Sequence, residues 1–433
     1  MTDASVPRPT WTLLAVLGGV VVLATTGAPQ SLEYLLRVGL DAPGSAGAQL
    51  AVGACGALAT ALSLLAKRFR RWLLPTGAAG VFAATALHLT VPRELALRIA
   101  GTPAQPSDVA AHPVIACLLA AASGVLLVGL LGAVQSLANP APVTGIVAAA
   151  AYCGVAVTGP LVQAASPIRL TVTAVAVVLT AGALTVRTAQ PPSGRVWPAA
   201  VVVVLPLGPT VLVALTGKPV LGTATGSLLG LSLVALALAA TGGVRRLLAV
   251  AAAGLVLAAP AMLLLFLHTA PATGHPWYAW PLALLGVLAG GALARRLTWA
   301  AVAAVLAAGP MMALGLRTAG ESQGIATVLT WVFVVLALAA VSATTGAAAP
   351  RGQLPEFAAL VTTAAVGFAS AAGLFTGSTR GVEGLIDEGP LLVSAGYVVV
   401  AAVLLMVLAR LQGSGPQTAP PQVSGAAAEW AQQ

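Results

Sequence analysis

Two knots of cations are the first residues in this chain whose types and spacing could do chemistry. Ser63-Leu64-Leu65-Ala66-Lys67-Arg68-Phe69-Arg70-Arg71 closes one apolar run and opens the next. Gly291-Ala292-Leu293-Ala294-Arg295-Arg296-Leu297 repeats that order in a matching context. A guanidinium presents its donors in a rigid fork that fits carboxylates and the carbonyl ends of helices. Such clusters can latch two helical faces in one state and release them in another. The residues of such an inner gate would be Lys67, Arg68, Arg70, Arg71, Gly291, Arg295 and Arg296. Basic pairs between apolar runs also set the orientation of membrane spans, and the sequence is compatible with both roles.

The titratable residues near apolar runs are few. His88 lies near the outer end of its run, and its reference pKa of about 6.5 is close to neutrality, which makes it a proton-site candidate. The other reading of His88 is a histidine at the membrane interface bonded to a neighbour or to water. Glu33, followed by Tyr34 and Arg37, can line an outer vestibule or sit as a solvated loop acid paired with Arg37. Glu356 opens an apolar run from the inside, where an acid is favourable at a helix N-terminus without any further role. Gln135 and Gln163 are polar side chains available to a cavity lined mainly by Val, Leu, Ala, Thr and Ser. Gly154, Gly159 and Pro160 supply close helix approach and a bend. Cys55, Cys117 and Cys153 fall in different apolar runs at no metal-ligand spacing and read as packing residues, so no metal and no cofactor is expected. There is no His-Glu-x-x-His sequence and no recurrent outer cluster of Asp, Glu and His for acid–base work, so the chain does not read as an enzyme.

The elements that position these residues follow from composition. The chain is 59% hydrophobic and 7% charged, far below the roughly 25% charge of soluble domains. A net charge of +9 would suggest nucleic acid in a soluble protein, but these cations punctuate apolar runs, and no nucleic-acid partner is expected. The predicted fold class is an all-α polytopic membrane protein with fourteen spans, near 11–28, 47–66, 73–91, 113–136, 143–163, 168–186, 197–216, 224–241, 247–267, 278–294, 297–316, 323–344, 356–377 and 389–409. Most reach the roughly 17 to 25 residues that a helix needs to cross the hydrocarbon core. With residue 1 inside, thirteen cations fall on the inner side and seven on the outer, which favours cytoplasmic N- and C-termini in a cell membrane. Arg8, the first apolar run and Thr26-Gly27-Ala28 also fit a secretory signal. Its cleavage would leave thirteen spans and break the symmetry of the two basic loops.

Those loops lie between spans 2 and 3 and spans 10 and 11, so equivalent positions are eight spans apart. This predicts two like-oriented six-helix bundles with two helices inserted between them. The expected units are a cytoplasmic N-terminus at 1–9, an N-terminal bundle at 10–190 and two linker helices at 191–243. A C-terminal bundle at 244–411 and a disordered cytoplasmic tail at 412–433 complete them.

At this point the chain resembles the major facilitator superfamily, in particular its fourteen-span drug:proton antiporter branch. The loop 2–3 signature of that branch, Gly-x-Leu-Ala-Asp-Arg-x-Gly-Arg-Arg, is echoed at residues 63–71 and 291–296. Its fifth-span antiporter motif is echoed by Gly154-Val155-Ala156-Val157-Thr158-Gly159-Pro160. Gly274-His275-Pro276-Trp277-Tyr278-Ala279-Trp280-Pro281-Leu282 leads into span 10 as the second half of the family does. The resemblance implies a secondary transporter working by alternating access. Three departures accompany it: Lys67 and Arg295 replace the loop acid, no ionisable residue lies between Trp11 and Ala28, and span 4 carries no arginine. An apolar cavity suits export of a hydrophobic, amphiphilic or lipid-like solute. The missing acids leave a second reading, a transport-degenerate scaffold or accessory subunit with a protein partner.

Overall fold

Among the described residues of the computed structural model, fourteen α-helices, one on each predicted span, stand with one short 3-10 turn. The structure describes residues 9–26, 46–66, 69–90, 113–156, 167–185, 197–205, 207–208, 211, 221–269, 279–315, 323–350, 352–376 and 388–413. The first half holds α1 (Pro9–Thr26), α2 (Ala46–Leu65), α3 (Arg70–Thr90), α4 (Pro113–Val134), α5 (Pro140–Ala156) and α6 (Pro167–Thr180, running into the 3-10 turn Ala181–Thr185). Between the halves lie α7 (Trp197–Val204) and α8 (Leu221–Ala240). The second half holds α9 (Val244–Thr269), α10 (Ala279–Leu293), α11 (Leu297–Gly315), α12 (Gln323–Ala348), α13 (Leu354–Thr376) and α14 (Glu388–Gly413).

Apolar runs without a period of two can satisfy their backbone inside a membrane only as helices. Proline at the first position of α1, α4, α5 and α6 starts each helix at little cost, because the first N–H groups have no helical acceptor. Leu62, Leu233, Val178 and Val328 are more than three-fifths exposed on the outer surface, as residues facing lipid must be. Among the described residues, Val114–Val134, Trp331–Ala348 and Leu392–Gln412 are long and apolar enough to cross a membrane unaided, and eight shorter apolar helices accompany them.

The packing repeats. In the first half α1 packs on α4, α5 and α6, α2 packs on α4, and α3 packs on α4 and α6. In the second half α9 packs on α12, α13 and α14, α10 packs on α12, and α11 packs on α12 and α14. Adding eight to each helix number in these first-half contacts gives these second-half contacts; smaller contacts, α1 on α3 and α4 on α5 in the first half and α10 on α11 and α13 on α14 in the second, fall outside the repeat. Leu126 and Leu130 of α4 centre one core, and Phe333 of α12 is the largest buried side chain of the other. α5 belongs to both: Val147 and Ala150 pack in the first core and Ala149 in the second.

Within the predicted span 197–216, α7 ends at Val204 with a turn at Leu205, 207–208 and 211 are again helical, and the other positions lie outside the described residues. The break falls just before Pro206 in the sequence, and proline has no N–H to continue a helical ladder.

Two turns depend on glycine. Gly243, between α8 and α9, has φ +99°, and its N–H donates to Ala240 O at 2.9 Å. Gly352, between α12 and α13, has φ +88°. A side chain in this left-handed region costs about 1–2 kcal/mol. Gly243→Ala and Gly352→Ala are each expected to lower stability by that amount in detergent-induced unfolding, while Gly309→Ala, where an added methyl meets open space, is expected to leave it unchanged.

Candidate functional site at the inner seam between the halves

The two halves meet where α5 enters the groove between α10 and α12. The approach is set by missing side chains. A β-carbon at Gly145 would run into the backbone carbonyl of Ser342, and one at Gly346 would lie 2.5 Å from Ala141 O and 2.7 Å from Ala294 Cβ. At Gly291 it would lie 3.0 Å from Ile146 Cγ1 and 3.5 Å from Pro142 O. Small residues at such positions let helix backbones touch, which is what holds helices together where lipid removes the hydrophobic drive. Gly286 and Gly290 place α10 equally close to α12, and Ser342 Oγ donates to Val287 O at 3.1 Å across that contact. These contacts gather toward the start of α5 and the ends of α10 and α12. Leu354, in the first turn of α13, adds to the closure by packing in the core of the first half. The described contacts therefore close the two halves together at this end of the bundle.

Of the inner-gate candidates, Gly291 stands on this seam, facing the opposite half. Arg295 and Arg296 follow it, exposed, in the turn before α11. Arg70 and Arg71 open α3, and the Arg71 guanidinium lies 5.8 Å from the ring centre of its neighbour Trp72. Among the described residues none of these four arginines forms an ion pair. Lys67, Arg68, Glu33, Gly159, Pro160 and Gln163 lie outside the described residues. Gly154 lies in α5 and His88 in the last turn of α3. Gln135 follows α4 at its inner end, half-buried, with its Nε2 lacking a hydrogen-bond partner among the described residues. Ser123 Oγ in α4 and Thr344 Oγ1 in α12 are buried in the same condition. An unmet buried hydroxyl costs about 1–3 kcal/mol, so each is a point where water or a polar atom of a solute would be favoured. Among the described residues no three His, Cys, Asp or Glu side chains gather as a metal site would need.

One ion pair was not foreseen. Arg246, in the first turn of α9, meets Glu356, in the first turn of α13, at 2.7 Å, with side chains only 18% and 15% exposed. Sequence reading assigned Arg246 to topology and Glu356 to its own helix N-terminus. The carboxylate does sit at that N-terminus, but it also joins two helices of the second half. The signal in the sequence was that both residues open helices from the same side; that α9 and α13 are neighbours needed the fold. Beside them Arg245 donates from Nη2 to Leu411 O at 2.6 Å, placing a cation at the C-terminal end of α14.

The described helices form a bundle of two halves with repeated packing, joined along one seam. The chain has the major facilitator fold: it is similar to the human organic anion transporter MFSD10, with a TM-score of 0.51 and 14% identity over 92% of this chain and 100% of that one. It also aligns with the proton:xylose symporter XylE bound to 6-bromo-6-deoxy-D-glucose, at a TM-score of 0.49 and 14% identity over 94% of this chain and 97% of that one. XylE from E. coli in a partially occluded inward-open conformation gives 0.45 and 14% over 92% and 96%. No family model and no curated protein matches the sequence.

Proposed function

We propose that the chain is a secondary transporter that carries a hydrophobic, amphiphilic or lipid-like solute out of the cell by alternating access, in the manner of the fourteen-span drug:proton antiporters. The observation that carries this reading is the seam itself: two halves whose main internal contacts repeat, joined at one end through close approaches at Gly145, Gly291 and Gly346. Such a joint closes one side and can rock open. The solute class rests on the sequence reading of an apolar interior of Val, Leu and Ala with a few Ser, Thr and Gln, which would bind by contact area and few hydrogen bonds. On this reading the chain sits in the plasma or inner membrane with both termini cytoplasmic. Its partners are the bilayer and the solute.

The test is accumulation of lipophilic dyes in an efflux-deficient bacterial host, with and without the protein, before and after collapse of the proton gradient. Reduced accumulation that disappears with the gradient is expected. His88 is then the proposed proton site, and His88→Gln should flatten the pH dependence of export; an unchanged profile excludes it. A second reading, a scaffold or accessory subunit, is favoured by one observation. Arg246 and Glu356 lie at helix ends, and α1, α4 and α12 carry no charged residue, although intramembrane charge is the usual mark of coupling. Purified protein that is silent in liposomes but co-purifies with a defined partner would establish that reading instead.

A further inference from the structure

The three cysteines read from the sequence as packing residues in separate apolar runs, yet the fold brings two of them together. The thiols of Cys55, in α2, and Cys117, in α4, share a side-chain hydrogen bond. Both are free cysteines and both are half-buried.

The register of α2 on α4 explains the meeting. Helix axes usually lie roughly 8–10 Å apart, whereas two cysteines can be bridged only when their Cα atoms come within about 7 Å. Glycine draws these two helices closer. A β-carbon at Gly124 would run into Thr60 Oγ1 and lie 3.0 Å from Gly56 O. The Thr60 hydroxyl donates to that same carbonyl at 2.7 Å, so it is spent within its own helix. One turn nearer the helix starts, Val52 of α2 is buried with Ala116 and Ala120 of α4, and Cys117 packs against this group. The contacts at Val52 and at Gly56 bracket Cys55 along α2, and those at Ala116 and Gly124 bracket Cys117 along α4. Both thiols therefore fall in a stretch where the helices are held together at each end.

The pair also borders the outer surface. Leu58, Val114 and Leu118, on neighbouring turns, are exposed as residues facing lipid are. Cys55 stands midway along the 20 residues of α2, so a reagent reaching it comes from the membrane rather than from water.

We propose that Cys55 and Cys117 form a dithiol site that a membrane-dissolved alkyl or lipid hydroperoxide closes to a disulfide, stapling α2 to α4. One sulfur attacks the terminal peroxide oxygen, the O–O bond breaks, and an alcohol leaves as a sulfenic acid forms. The second thiol then displaces water from that sulfenic acid, and the S–S bond is made. Two thiols lose two electrons and two protons, and the hydroperoxide becomes an alcohol and water. Thiol is regained by exchange with an external dithiol. The cross-link closes the chain from residue 55 to residue 117, a loop that contains α3, and constrains the unfolded state accordingly. None of this depends on the transport reading.

The experiment uses the unaltered full-length protein in liposomes, treated with cumene hydroperoxide. Free thiols are alkylated, the protein is then reduced and alkylated with a second reagent, and peptides are mapped by mass. Two of the three thiols should disappear together as one Cys55–Cys117 disulfide, Cys153 should stay free, and dithiothreitol should restore all three. Unfolding in a gradient of ionic detergent should shift to higher detergent on oxidation and return on reduction. Cys55→Ser and Cys117→Ser should each abolish the shift, and Cys153→Ser should keep it. Thiols at 55 and 117 that stay alkylable, pairing of either with Cys153 or with a second copy, or a disulfide that leaves the unfolding midpoint unmoved would each overturn the staple. The mapping is made on the parent chain and depends on no variant's folding.

Discussion

Glu356→Gln is expected to destabilise the second half by about 3–5 kcal/mol, because it leaves the Arg246 guanidinium buried beside a neutral amide. The two side chains are 15% and 18% exposed, so water cannot replace the lost partner as it would at a surface pair. The same argument predicts an asymmetric cycle. Arg246→Met should also destabilise, whereas Arg246→Met combined with Glu356→Leu should lie much nearer to the parent, since two apolar residues remove both charges at once. Denaturation by a gradient of ionic detergent in mixed micelles measures all four proteins. A double variant as damaged as the sum of the singles would show that the pair contributes nothing as a pair. The geometry argues otherwise: Arg246 opens α9, Glu356 opens α13, and their 2.7 Å contact joins these neighbouring helices by charge.

That pair marks the boundary of what the sequence makes legible. Fourteen spans are readable because membrane helices announce themselves by length and hydropathy, and the structure places one helix on each. The repeat is readable because Leu65-Ala66-Lys67-Arg68 and Leu293-Ala294-Arg295-Arg296 fall in the same context eight spans apart. Neither observation says which helices touch. The neighbour relation of α9 and α13 is a property of the bundle, so the role of Glu356 was read only from its own helix end.

α7 illustrates a second limit. Hydropathy sums over a window and runs through Val201, Val202, Val203 and Val204 without a mark, whereas the described helix breaks at a turn at Leu205, just before Pro206 in the sequence. The glycine seam shows a third. In a chain with 47 glycines their number carries no positional information, and only the meeting of α5 with α10 and α12 distinguishes Gly145, Gly291 and Gly346 from the rest. Gly291 entered the sequence reading as part of a basic motif, yet in the structure its contact is steric. The charges that follow it, Arg295 and Arg296, stay exposed.

Gly145→Leu is therefore expected to have the larger functional effect of the two substitutions. A side chain at residue 145 has nowhere to go: the first carbon already meets the carbonyl of Ser342, which is backbone and cannot swing aside, and Ser342 is itself tied to Val287 O at 3.1 Å. Overpacking of this kind costs about 1–3 kcal/mol where the surroundings cannot yield. Here they can yield in one way, by parting α5 from α12, which is the opening of the inner seam. The strain falls on the closed state alone and should shift the equilibrium toward the open one by roughly 5- to 150-fold. The helices within each half keep their contacts, so folding and membrane insertion are expected to be near normal. Spin labels on the inner ends of α5 and α12 would measure the change as a longer distance population, and dye export would fall because the outward half of the cycle is populated less. Gly132→Leu, on α4 where an added methyl meets open space, is the matched control and should leave the distance distribution unaltered. A Gly145→Leu protein that unfolds without changing the distance distribution would mean that the seam is a static joint, and rocking would then have to occur elsewhere in the bundle.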